Sequence, residues 1–189
     1  KELRYTSMEE WYQVSKQDFK KNGGDGLLQR DYKGSIIRFV RKIFKYEWLE
    51  WKFSQTTKDY FDEFQNRILF TKWLGRKLGY TRMEDWYQIS SELIHNNGGG
   101  GMIQTYYRNS CYEFVSDMFR DHEFYAWLFK CSYRGLWEDT ENHKRYVRWL
   151  GKRLKYTTIE DWYKITVSII ESNYGGGLLQ SYYNGSPSR

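Results

Sequence analysis

The sequence predicts an all-α protein built from tandem repeats of a unit of about 75 residues, each with about five short helices and helix–turn–helix-like elements. Three observations carry this expectation. An octapeptide of the form Tyr-Thr-x-x-Glu-acid-Trp-Tyr occupies 5–12, 80–87 and 156–163, so that Trp11, Trp86 and Trp162 stand 75 and 76 residues apart. A glycine-rich stretch leading to an apolar pair and a Gln follows at matched offsets, over 22–32, 97–107 and 173–183, with Ser35, Ser110 and Ser186 just beyond. Alternating β patterning is absent along the whole chain.

The first element of each unit is a short helix through the Trp-Tyr pair. Thr6, Thr81 and Thr157 are each followed three residues later by a Glu, which reads as a capping box. The acid after that Glu (Glu10, Asp85, Asp161) suits the positive end of the helix dipole. Next come the glycines: Gly23, Gly24 and Gly26, then Gly98 to Gly101, then Gly175 to Gly177. Two readings fit them. They end one helix in a left-handed cap and turn into the next, or their amides approach a phosphate at the following helix start. The run lacks a Gly-Lys-Ser/Thr ending and a preceding strand, which excludes a nucleotide-binding P-loop.

The third element carries Gln29, Gln104 or Gln180 after its apolar pair. Such a Gln can bond an adenine edge in a major groove or a backbone group of its own repeat. The fourth begins at Ser35, Ser110 or Ser186; Glu113 completes a capping pattern with Ser110, and Pro187 takes a first helical position. The fifth is predicted over 140–154, where Tyr146, Trp149, Leu150 and Leu154 share one side and Lys144, Arg148, Lys152 and Lys155 another. Trp73-Leu74-Gly75 and Trp149-Leu150-Gly151 mark the same helix in two units, and one inserted residue near His122 explains the step from 75 to 76. The repeats divide as 1–53 (partial), 54–129 (complete) and 130–189 (partial); with Lys1 in place of an initiator Met, the chain reads as a fragment of a larger protein.

Aromatic residues make up 20% of the chain, enough to build a core with few aliphatics. The tryptophans at 11, 51, 73, 86, 127, 149 and 162, about one per helix, read as that core. Adjacent tyrosines cannot both face it, so Tyr32, Tyr107 and Tyr183 are expected inside, and Tyr106 and Tyr182 outside as stacking surfaces. The formal net charge is +6, on the basic side of what nucleic-acid binders show. Arg38, Arg41, Lys42 and Lys45 gather on one helix, a second patch beside the 140–154 stripe; both are solvated faces or phosphate contacts.

These features lead to a nucleic-acid-binding module, DNA preferred over RNA because helix–turn–helix spacing suits a major groove. The expected contacts are Gly24, Gly26, Gln29, Arg38, Arg41 and Lys42, then Gly99, Gly101, Gln104, Tyr106 and Arg108, then Lys144, Arg148, Lys152, Gly175, Gly177, Gln180 and Tyr182. The alternative is a protein–protein interaction scaffold of stacked repeats; flanking domains, including an enzyme outside these residues, fit either. Catalysis within the chain is not expected. The histidines at 95, 122 and 143 do not recur between copies, Cys111 and Cys131 lack metal-ligand spacing, and no cofactor or metal is implied. Two cysteines, no signal peptide and no apolar run of about 18 residues point to an intracellular, reducing compartment, nucleus or organelle included, without a membrane partner.

Overall fold

A computed structural model describes residues 5–54, 59–131 and 135–187. It is all-helical, with no strand among the described residues. Ten α-helices follow one another among them: α1 (Lys16–Lys21), α2 (Asp25–Tyr32), α3 (Ile36–Ile43), α4 (Phe64–Leu78), α5 (Ser91–Ile94), α6 (Gly100–Tyr107), α7 (Cys111–Met118), α8 (Thr140–Leu154), α9 (Val167–Ser172) and α10 (Gly176–Tyr182). Six-residue 3-10 helices at Met8–Gln13, Met83–Gln88 and Ile159–Lys164 carry the Trp-Tyr pairs. Each ends at an extended β-branched residue (Val14, Ile89, Ile165) whose amide donates to the Trp carbonyl. The helix over 140–154 spans the predicted residues, opened by Asp139, whose carboxylate accepts from the Glu141 amide at 2.9 Å.

The capping acids lie one residue later than their spacing predicted. The N-caps are Ser7, Arg82 and Thr158, in extended conformation, so the third helical position falls on Glu10, Asp85 and Asp161. Asp85 Oδ2 accepts from the amides of Thr81 and Arg82, both at 2.8 Å; Glu10 and Asp161 do the same with residues 6–7 and 157–158. Glu9, the acid expected to cap, instead accepts from the Tyr46 hydroxyl at 3.0 Å and Lys52 Nζ at 3.1 Å. Further caps join them: Ser15 with Asp18 on α1, and Thr166, whose hydroxyl accepts from the Ile169 amide, on α9.

These donors hold the carboxylates below their usual range: Asp161 through Lys164 and two backbone amides, Asp85 through the amides of Arg82 and Thr81. A depressed folded-state pKa gives stability that is present above the unfolded value, roughly 3.9, and lost as pH falls below it. Asp85→Asn and Asp161→Asn are therefore expected to lower the melting temperature near neutrality and to flatten its fall between about pH 5 and pH 2.5. Thermal melts across that range check this; acid arms parallel to wild type would show that the caps carry no charge-dependent stability.

The chain divides into two compact units, Lys1–Gly79 with Glu92–Met102, and Tyr80–Ser91 with Ile103–Arg189. Their borders differ from the similarity borders at 53/54 and 129/130, because each unit closes its core with helices from neighbouring stretches of chain. In the first unit Tyr12, Val14, Phe19, Leu28, Ile36 and Val40 pack with Trp48 and Phe53. A second aromatic group sets Trp51 edge-on to Phe70 at 5.6 Å and to Trp73 at 5.5 Å. In the second unit Trp127 stacks on Trp137 at 6.0 Å and meets Tyr146 and Trp149. Leu150, Ile170, Leu178 and Leu179 complete that core. Burial pushes the Cys111 thiol up to about 12, so it stays protonated and packs as a small apolar group, as its setting in an apolar helix predicts. Among the described residues no helix is long and apolar enough to cross a membrane.

Candidate nucleic-acid interface

Two left-handed residues join the Gln-bearing helix to the next segment. Lys33 and Gly34 have φ of 52° and 69°, Arg108 and Asn109 49° and 63°, Asn184 and Gly185 49° and 72°. In each pair the second amide returns to the helix, Gly34 to the Leu28 carbonyl, Asn109 to Ile103 and Gly185 to Leu179, at 2.9–3.0 Å. The serine that follows donates back to Tyr32, Tyr107 or Tyr183. Ser35 and Ser110 then cap α3 and α7 by accepting from the amides of Arg38 and Glu113. Left-handed conformation costs a non-glycine residue about 1–2 kcal/mol, which these hydrogen bonds help to offset. The helix expected to open at Pro187 lies outside the described residues.

The glycines are placed as packing elements. Gly24 donates to the Phe19 carbonyl at 2.7 Å and Gly175 to the Ile170 carbonyl at 2.9 Å, so neither amide is available to a phosphate. Gly99 is buried, and a Cβ there would stand 2.5 Å from Phe70 Cζ. The amides of Gly24 and Gly175 are thus engaged within the fold, and side chains lie close against the backbone at Gly99 and Gly175, which gives these glycines a folding role. Gly26 and Gly101 face open space, and Gly177 lies beside the Trp137 indole nitrogen.

Gln29, Gln104 and Gln180 are exposed. Gln29 and Gln180 also lie across their own turns: Cβ atoms on Gly34 and Gly185 would stand 2.9 and 3.3 Å from their amide oxygens. Tyr106 and Tyr182 are exposed and Tyr107 buried, as the adjacent-tyrosine pattern predicts. Tyr182 sets its edge against the His143 ring at 5.0 Å. His143 is itself buried and lies between the Trp137 carbonyl, at 2.7 Å, and the Tyr183 hydroxyl, at 3.1 Å.

The basic groups separate into engaged and unengaged sets. On α3, Ile36 and Val40 face the core while Arg38, Arg41 and Lys42 are exposed; Lys45, expected on the same helix, is exposed beyond its end, which the extended Phe44 closes. Arg41 pairs with Glu50, whereas Arg38, Lys42 and Lys45 have no ion pair among the described residues. On α8, Lys144 and Arg148 share Glu141 at 3.2 and 3.6 Å, leaving Lys152 and Lys155 without a carboxylate among the described residues. Arg108 is exposed at its left-handed turn. Helix α7, at the position matching α3, carries Glu113 and Asp117, and Asp117 accepts from the Tyr107 hydroxyl at 2.8 Å. The strongly basic helix therefore belongs to the first unit. Two engaged cations lay outside the expected set: Lys77 donates to Asn97 Oδ1 at 2.6 Å over the Trp73 ring, and Arg153 to Asn173 Oδ1 at 2.8 Å over Trp149. The 76-residue spacing of Lys77 and Arg153 carried that signal.

Among the described residues no group of three His, Cys, Asp or Glu side chains is placed to hold a metal ion. No protein-family model, curated protein or solved structure matches this chain.

Proposed function

We propose that the chain is a nucleic-acid-binding module of tandem helical repeats of about 75 residues, with duplex DNA preferred over RNA and no catalytic site of its own. The observation that carries the binding reading is α3: an eight-residue helix, anchored by Ile36 and Val40, presenting Arg38 and Lys42, with Lys45 two residues beyond its end, all without carboxylate partners among the described residues. It follows α2 across a turn of two left-handed residues, an arrangement suited to laying one helix in a major groove. Gln29 and Lys33, both exposed at the end of α2, lie next to that turn in the chain. The repeat reading is supported by recurrence in geometry: the Tyr5–Trp11, Tyr80–Trp86 and Tyr156–Trp162 rings all meet edge to face at 5.2–5.3 Å. A DNA-containing compartment, nucleus or organelle, is the matching location.

Fluorescence anisotropy with labelled duplex DNA, single-stranded DNA and RNA at two salt concentrations tests the proposal. Three phosphates neutralised on B-DNA imply a loss of about 40-fold in affinity between roughly 50 and 200 mM salt. Tightest binding to duplex DNA with that dependence is expected. Absence of binding at micromolar protein in low salt would overturn the reading.

A further inference from the structure

A cavity of about 240 Å³ opens in the first unit where the start of α1 meets the turn between α2 and α3. Its floor is apolar, formed by Val14, Ile36, Ile37 and Phe53, and three of these (Val14, Ile36 and Phe53) are fixed members of the core. The rest of its lining is polar: Lys16, Lys33, Gly34 and Ser35. Lys16 is the first residue of α1, and Lys33 is the first of the two left-handed turn residues. Both lysines are exposed.

Neither ammonium group has an ion pair among the described residues. The carboxylates nearest to them in the chain are already held. Asp18 accepts from the Ser15 hydroxyl at 2.6 Å, and Asp31 accepts from Arg30 Nε at 2.7 Å. The Ser35 oxygen accepts from the Arg38 amide at 3.3 Å, which leaves its own hydrogen to donate. The combination belongs to the first unit. Seventy-five residues further on, Ser91 and Arg108 stand in place of Lys16 and Lys33, and Tyr112 stands in place of Ile37 with its ring 6.0 Å from Phe129.

We infer that this cavity binds a phosphate monoester carried on a small apolar body such as an aromatic ring. A phosphate monoester bears a charge of about −1.5 to −2 near neutrality, which Lys16 and Lys33 together balance; a carboxylate would leave one ammonium without a partner. The Ser35 hydroxyl donates to a further phosphate oxygen, and the ring rests on Val14, Ile37 and Phe53. The volume falls below the roughly 300–1,000 Å³ of sites for drug-sized ligands, so a single ring with its phosphate fills it. The inference is independent of duplex binding through α3.

The test titrates phenyl phosphate into the 189-residue chain and follows the backbone amide NMR signals of Gly34 and Ser35, with inorganic phosphate and phenol as controls. Saturation with a Kd on the order of 1 mM is expected at low salt. Each control, which offers only the charge or only the ring, should bind at least about 5-fold more weakly. Lys16→Ala and Lys33→Gly should each weaken phenyl phosphate about 5-fold. Lys33→Gly should do so with an unchanged or raised melting temperature, because glycine takes a φ of 52° without strain. A loss of binding caused by a damaged fold is thereby told apart. No saturation up to about 20 mM, equal affinity for inorganic phosphate, or indifference to both variants would overturn the inference. Displacement of phenyl phosphate by a DNA strand with a terminal phosphate, and not by the same strand with a terminal hydroxyl, would place a nucleic-acid end in the site. Displacement by neither strand would leave a free phosphate monoester as its ligand.

Discussion

Gly175→Ala is expected to destabilise the second unit by about 2 kcal/mol, the middle of the range for forcing extra volume into a packed core. The added Cβ would meet the Tyr146 hydroxyl, would lie 2.5 Å from Tyr146 Cζ, and would stand 2.6 Å from Ile170 Cγ2. Backbone strain contributes nothing, since Gly175 has φ −93°, which alanine adopts freely. The cost lies in moving Tyr146. Its ring is held by Trp127, Trp137 and Trp149 at 5.4–5.8 Å, and its hydroxyl donates towards the carbonyls of Ile170 and Asn173 at 3.2 and 3.1 Å. Tyr146→Phe alone should cost about 1 kcal/mol for the lost hydrogen bonding. The same change removes the atom closest to the new methyl, so Gly175→Ala should cost roughly 1 kcal/mol less in the Tyr146→Phe background. Urea unfolding of the two single variants and the double variant measures the coupling. An unchanged midpoint for Gly175→Ala would refute the close approach. Gly99→Ala is the companion case in the first unit, where Phe70 already lacks the hydroxyl and its Cζ itself blocks the methyl.

Reversing three charges on α3 and just beyond it, by Arg38→Glu, Lys42→Glu and Lys45→Glu together, is expected to lower duplex affinity more than 100-fold at low salt, by roughly 1–2 kcal/mol per lost phosphate contact. It should also make the slope of log affinity against log salt shallower by about 2.7. Thermal stability should change little, within about 0.5 kcal/mol per exposed site, because these side chains carry no ion pair among the described residues. Arg41 is kept, since it holds Glu50. A matched pair, Arg148→Glu and Lys152→Glu on α8, should have the smaller effect, because Arg148 already shares Glu141 with Lys144. Anisotropy titrations at several salt concentrations, with melts of the same samples, check both expectations. Undiminished affinity in the α3 variant would remove the observation on which the binding proposal stands.

Trp11, Trp73, Trp149 and Trp162, expected in the core, are half-buried, whereas the helical class, the span of α8, the burial of Trp51, Trp86 and Trp127 and the inward and outward members of the Tyr106–Tyr107 pair were legible in the chain. Each is a local property. Apolar spacing of three and four assigns a side of a helix, and adjacent residues cannot share it. Properties that depend on a distant partner were not legible. The capping acid is the second of each pair in all three copies, because the helix starts one residue later than the Thr-x-x-Glu spacing implies, and Glu9 is left to meet Tyr46 and Lys52, 37 and 43 residues away. Phe70 and Tyr146 lie against Gly99 and Gly175, contacts that the glycine spacing by itself does not specify. Eight lysines and arginines read as two equal stripes; Glu141, on α8 itself, engages Lys144 and Arg148, while the pairing of Arg41 with Glu50 depends on the path of the chain beyond α3. Tyr163 shows the division most plainly. Its octapeptide matches those of Tyr12 and Tyr87, yet it is exposed, while Tyr12 lies against Trp48 and Phe53 and Tyr87 against Phe124 and Phe129. Sequence alone determined the helices and their apolar sides, which follow from short-range backbone and side-chain geometry. Tertiary structure decided which polar groups and which apolar surfaces are already satisfied, because that depends on chain segments brought together from tens of residues apart.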